Sequence, residues 1–187
     1  MKKMIFNEAM RIVGWMFVGL VTVVLLGGSM ALYQNTLIDW KIPVGITAVL
    51  ALISASVMHR RWRKLTQTDY TPVNFGCHAI VSFSIMIFLF FAGNYFLADD
   101  ETKHTETVTV EKKFREERQR TRRVGRRMVR TGEVYYEYFI EVRFDDGRLK
   151  KLHVSTGKYR HTRTGSTMPL DIEMGYFGIP VIKSKTY

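Results

Sequence analysis

Over roughly the first hundred positions, apolar residues come in long unbroken runs; beyond them they recur at every second position. Residues 12–32 form the first run, 21 residues without a charge. At about 1.5 Å per helical residue, that is enough to cross a hydrocarbon core of roughly 30 Å. Lys2, Lys3 and Arg11 precede it as they would a signal peptide, but the run is long for a signal core and no small-residue cleavage site follows. Residues 42–58 are near the lower limit for a span and are flanked by Trp40 and Trp62, as interfacial aromatics flank many spans. Thr47, Ala51 and Ala55 recur every four residues there and predict a face that a neighbouring helix can approach closely. Residues 75–97 are the bulkiest run, with Phe83, Phe88, Phe90, Phe91 and Phe96. Three transmembrane helices over residues 1–97 are the expectation.

From residue 98 a water-soluble β domain is expected. Val134, Tyr136, Tyr138, Ile140, Val142 and Phe144 alternate with Glu137, Glu141 and Arg143, the pattern of a half-buried strand. Asp145, Asp146 and Gly147 read as a tight hairpin turn, because Asp-Gly supplies positive φ angles cheaply. A return strand over 149–155 follows. Residues 156–165 predict a short helix capped by Ser155 or Thr156 and ended by Gly165. Met168, Leu170, Ile172 and Met174 then alternate with Asp171 and Glu173, read as a solvated outer face. The Gly175-Tyr176-Phe177-Gly178 stretch turns the chain, and 179–183 closes the set. Upstream, 105–115 places Val108, Val110 and Phe114 on one side. The order of strand, strand, strand, short helix, strand, strand predicts an OB-like five-stranded barrel, with an SH3-like barrel as the alternative. The fold class is thus a membrane protein of three helices followed by a small β-barrel. About 80 residues make a small core, so anchoring or a partner is expected to support it.

Charge adds an orientation. The net charge is +11, and from residue 98 onward the sequence has 20 Lys and Arg against 14 Asp and Glu. Arg60, Arg61, Arg63 and Lys64 lie between the second and third runs, and Lys2, Lys3 and Arg11 precede the first. The loop between the first two runs has only Lys41 against Asp39. By the positive-inside rule, the N-terminus and the second loop are cytoplasmic and the C-terminal domain is extracytoplasmic, which in a two-membrane bacterium means periplasmic. Cys77, the lone cysteine, excludes an internal disulfide and a multi-cysteine zinc site.

The most unusual stretch is residues 112–130, where 10 of 19 residues are basic and two are acidic: Lys112, Lys113, Arg115, Arg118, Arg120, Arg122, Arg123, Arg126, Arg127 and Arg130. It is expected to be a long extension joining the first two strands, far longer than the two to five residues of a tight hairpin. Planar guanidinium groups suit phosphates and carboxylates, so a polyanion or an acidic partner is its expected ligand.

Catalytic chemistry finds little support. No acidic or basic side chain interrupts the three apolar cores apart from His78 near one end, which argues against a transporter. Cys77 and His78 are adjacent and so point about 100° apart on a helix. His153 and His161 have no obvious third ligand. Ser155-Thr156-Gly157-Lys158 lacks the upstream glycine of a P-loop. Asp171 and Glu173 could pair as acid and base but suit a solvated face better. Neither a cofactor nor an enzymatic activity is therefore expected.

The layout is similar to membrane-anchored OB proteins that accompany larger membrane assemblies, and it resembles mechanosensitive channels in placing three spans before a β domain. The third span is too bulky and aromatic to line a pore. The expected role is an accessory or assembly subunit that binds other membrane subunits or itself. The alternative is a tether that binds acidic lipid or glycan, or nucleic acid if the topology is inverted.

Overall fold

The computed structural model describes residues 2–124 and 127–183, with side chains for 8–121 and 132–183. The chain divides into two compact units. One contains Met1–Asp99 together with Met174–Val181, and the other contains Asp100–Glu173 with Ile182–Tyr187. A stretch of the expected β domain, Met174–Val181, therefore belongs with the helices.

In the helical unit, α1 runs Lys2–Gln34, α2 Lys41–Met58, α3 Arg63–Thr66 and α4 Thr71–Phe96, with a 3-10 turn at His59–Trp62 between α2 and α3. Three stretches, Glu8–Gln34, Lys41–Thr66 and Thr71–Phe96, are long and apolar enough to cross a membrane. Both α1 and α2 pack against α4. Thr47, Ala51 and Ala55 are buried, as is Pro43 on the same stripe. Gly28 lets α1 come close to α4, since a Cβ there would lie 2.9 Å from the Phe88 ring. By contrast, the most apolar window of α1 contains no buried residue. Two buried hydroxyls of this unit are satisfied within their own helices: Thr47 Oγ1 donates to the Pro43 carbonyl at 2.6 Å and Ser29 Oγ to that of Leu25 at 2.7 Å. An unpaired polar group in an apolar surround would cost several kcal/mol on the order of transfer into hydrocarbon.

The second unit holds most of the strands: β1 spans Asp99–Val124, β2 Arg127–Arg143, β3 Leu149–Val154, α5 Thr156–His161 and β4 Thr167–Met174, while β5, Pro180–Ile182, gives it only Ile182. The strands form one five-stranded sheet in the order β3-β2-β1-β4-β5, an open sheet among the described residues. The core comprises Val108, Val110, Ile140, Val142, Phe144, Leu152, Val154, Met168, Leu170, Ile172 and Ile182. Gly147 takes φ +84° and its N–H donates to the Phe144 carbonyl at 2.9 Å, as the Asp-Gly turn requires. Ser155 caps α5 by accepting from the Lys158 N–H at 3.3 Å. That helix ends at His161; Gly165, expected to end it, lies in the turn before β4 at φ +81°.

Three expectations are corrected here. Phe114 does not share the face of Val108 and Val110. A register shift between Val110 and Lys112 inserts an extra residue, and such a bulge turns the following side chains over; Phe114 pairs with Phe139, on the face opposite Val110 and Val142. Glu173 is 5 % exposed rather than solvated, and it is tolerated there because the Lys183 ammonium lies 3.6 Å from its carboxylate. Finally, 112–130 is not an irregular connection: β1 and β2 continue through it as paired strands, from Lys112 opposite Glu141 to Val124 opposite Arg127.

Candidate anion-binding ribbon and a polar cluster among the helices

β3 pairs with β2 only from Tyr138 to Arg143. On the other side, the β4 end of the sheet meets β1 at Val110, whose N–H and carbonyl bond Ser166 and Gly165 at 2.9 and 2.8 Å. Beyond these limits the β1–β2 hairpin has no neighbouring strand among the described residues. Its residues 116–124 rise about 3.4 Å each, giving a two-stranded ribbon roughly 30 Å long. This is why Val134 and Tyr136, expected in the core, are 42 % and 39 % exposed: they lie past the last residue that β3 covers.

The register brings acids from β2 opposite the arginines of β1. Arg118 lies between Glu116 at 3.0 Å and Glu137 at 3.2 Å. Arg120 lies 3.6 Å from Glu133, and the Arg115 guanidinium sits 4.5 Å over the Tyr136 ring. Nearer the core, Lys112 is exposed opposite Glu141. Lys113 is turned inward, 4.5 Å over the Tyr159 ring of α5 and donating to the Thr162 carbonyl. It packs the sheet against α5 and is not part of the ribbon surface.

The outer face carries stacked Phe114 and Phe139 rings, 5.6 Å apart, with the Lys151 ammonium over both. That ammonium also contacts Glu116 at 2.5 Å, which holds the Glu116 carboxyl below its ordinary pKa. His153 packs against Phe139 at 5.2 Å.

Arg122, Arg123, Arg127 and Arg130 occupy strand positions opposite Val129, Met128, Val124 and Thr121. Arg126 lies outside the described residues. Residues 119–132 hold six arginines and no acid. The stem of the ribbon is thus charge-compensated, and the excess of positive charge belongs to its distal part.

Among the helices, His78 of α4 joins two other elements. The Trp62 indole N–H donates to its Nδ1 at 3.0 Å, and Ser54 of α2 lies 2.9 Å from its Nε2. An indole can only donate, so Nδ1 is the acceptor and the neutral ring carries its proton on Nε2, pointing at Ser54 Oγ. The serine therefore receives a hydrogen bond instead of losing a proton, and the pair is not a nucleophile and base. Cys77 is half-buried beside it. Arg60, Arg61, Arg63 and Lys64 are exposed, and Arg63 meets Asp69 at 3.2 Å.

Two residues with no place in the sequence expectations prove central to this unit. Asn74 and Asn94 stand near opposite ends of α4 and are both fully buried. Asn74 Nδ2 donates to the Thr68 carbonyl at 2.8 Å. Asn94 Nδ2 donates to the Ile179 carbonyl at 3.0 Å, and its Oδ1 accepts from the Phe177 N–H at 3.1 Å. Their signal in the sequence was an amide inside an otherwise apolar helix, a group that must find a partner.

No known protein family matches the chain, and no curated protein or solved structure is recognisably similar to it.

Proposed function

We propose that the protein is a membrane-anchored accessory subunit, not an enzyme, that engages an anionic partner through the distal part of its arginine-rich ribbon. The observation that carries this reading is the division of charge along the ribbon. Arg118 and Arg120 are met by acids across the strands, whereas residues 119–132 supply no acid to meet the rest. Arginine forks bind carboxylate and phosphate through two parallel hydrogen bonds, which suits acidic lipid, acidic glycan or an acidic subunit. A five-stranded, open sheet whose first hairpin extends well beyond its neighbours supports an OB-like reading, in which the connection between the first two strands is a common binding element. The three apolar helices act as the anchor, with the N-terminus cytoplasmic and the β unit extracytoplasmic. The uncovered span of α1 leaves room for a neighbouring subunit, whereas the small-residue stripe of α2 is occupied within the chain.

The test uses the full chain in zwitterionic nanodiscs, titrated with a sulfated glycan and, separately, with polyglutamate. Binding is expected to weaken steeply with salt, because exposed charges are screened beyond a Debye length of about 8 Å at physiological ionic strength. Changing Arg122, Arg123, Arg126 and Arg127 together to Gln should abolish it, while Arg118→Gln should change it little. Equal binding by the quadruple variant would sink the reading.

A further inference from the structure

The His59–Trp62 turn carries Arg60 and Arg61 and leads directly into Arg63 and Lys64, so a dense exposed cationic cluster rides on one short connection. Two anchors on α4 hold that connection. At its far end, Thr66 Oγ1 donates to Asn74 Oδ1 at 2.5 Å, Asn74 holds the Thr68 carbonyl, and Arg11 of α1 donates to Gln67. At its near end, Trp62 donates to His78 Nδ1, and the Trp62 ring lies 6.2 Å from that of Trp15 on α1. The two anchors differ in chemistry. An amide such as Asn74 does not titrate, whereas an imidazole does within the range of about pH 5 to 8. A protonated imidazole is a donor at both nitrogens. Trp62 has no acceptor on its indole nitrogen, so protonation of His78 would set two N–H groups facing each other across the present 3.0 Å contact. The Ser54 contact survives, because Nε2 donates there in either state.

We infer that His78 is a pH-operated latch: its protonation frees Trp62 and releases the His59–Trp62 turn from α4, while Asn74 keeps Thr66 and Thr68 in place. The charged and titratable groups on the surrounding elements are Glu8 and Arg11 on α1, His59, Arg60 and Arg61 in the turn, and Arg63 and Lys64 on α3, with Asp69 tied to Arg63 and Cys77 on the same helix as His78. His59 makes its own contact in the turn, with Nδ1 3.0 Å from the Ala55 carbonyl, so its part is tested by a separate variant. The latch is distinct from the ribbon, and its failure would leave the ribbon reading untouched.

The experiment uses the full chain in detergent micelles with Trp15→Phe and Trp40→Phe, so that Trp62 is the sole indole. From about pH 8 to 5 its emission should shift to the red and lose intensity as it gains solvent and a charged neighbour. His78→Gln offers an amide that can accept from Trp62 and donate to Ser54 but cannot titrate, so its emission should stay constant. His59→Gln should keep the transition. A flat wild-type profile, a transition that persists in His78→Gln, or one that vanishes in His59→Gln would each overturn the latch. Nitrogen NMR of histidine-labelled protein is a second check that needs no variant: at pH 8 the His78 signal should report a proton on Nε2, and a proton on Nδ1 would refute the arrangement.

Discussion

Replacing Gly175 with alanine should damage the helical unit only while Asn94 is present. Gly175 opens a turn closed by its N–H to the Ile179 carbonyl at 3.0 Å and by the Gly178 N–H to its own carbonyl at 2.8 Å. The Asn94 amide fills the space beside it. A methyl on Gly175 would lie 2.5 Å from Asn94 Cγ, well inside normal contact. Asn94 is fully buried and held on both sides by backbone, so it cannot simply swing away. Overpacking of this kind costs about 1–3 kcal/mol. Asn94→Ala alone takes the partner from the Phe177 N–H, while the Ile179 carbonyl keeps the Gly175 N–H, at about 1–3 kcal/mol for a buried group and less for one that water can reach. Phe177 is 50 % exposed, so roughly 1–3 kcal/mol in total is expected. In the double variant the amide is gone and the methyl has room, so the Gly175→Ala penalty should largely vanish, giving a coupling of about 1–3 kcal/mol. Gly178→Ala is the contrast. Its φ of +71° strains any side chain whatever the space, so its cost, about 1 kcal/mol, should be the same with or without Asn94. Denaturation of the full chain in micelles measures all six proteins, the wild type included. Equal Gly175→Ala penalties in both backgrounds would refute the overlap.

Two further outcomes follow from charge. Lys150 stands opposite Val142 on the core-facing side of β3, and burial pushes its ammonium down to about 8 from 10.5. Between those values the unfolded chain binds more protons here than the folded one, so stability should rise with pH across that window and sit at its lower level below about pH 8. The difference caps the gain at roughly 3 kcal/mol, or about 1–2 after allowing for partial exposure, and Lys150→Met should flatten the rise in a melting series. For orientation, a reporter enzyme active only outside the cytoplasm should be active when fused after Tyr187, while a fluorophore that folds only inside stays dark; neutralising Arg60, Arg61, Arg63 and Lys64 should weaken the bias, and a bright fluorophore on the native chain would instead favour an inverted β unit and nucleic-acid binding.

The helices were legible because a span requires about 20 apolar residues in a row, a signal that one residue does not disturb. The strands were legible where β2 and β3 pair: Ile140, Val142, Leu152 and Val154 alternate as a half-buried sheet must, and all are buried. Phe114 was misplaced because period two survives only until a bulge, and nothing in the alternation of 105–115 marks the extra residue. The arginine segment was misread for a different reason. Charge repulsion is visible in the composition of 112–130, but the acids that relieve it, Glu133 and Glu137, lie later in the chain and meet Arg120 and Arg118 only once the register is known. Asn94 escaped because its partners, Phe177 and Ile179, are more than 80 positions away.

The same register bears on why the ribbon stays a hairpin. Each stem ion pair is solvent-exposed and contributes only about 0–1 kcal/mol, so the pairs do not hold the strands together so much as remove the repulsion that would part them. That compensation stops at Glu133. A ribbon with two unpaired edges is ordinarily a template for pairing with a second copy, and like charge along its length is a common defence. Here the stem is nearly neutral and the distal part is strongly positive, so self-association through the distal edges is opposed by the same arginines that we propose bind an anion. On the proposed function, an anionic partner would neutralise this part of the ribbon, and its binding should protect the amides of the paired strands from exchange. Hydrogen exchange of residues 119–132 is the direct measure: protection should rise on adding the sulfated glycan in the native chain and stay unchanged in the quadruple arginine variant.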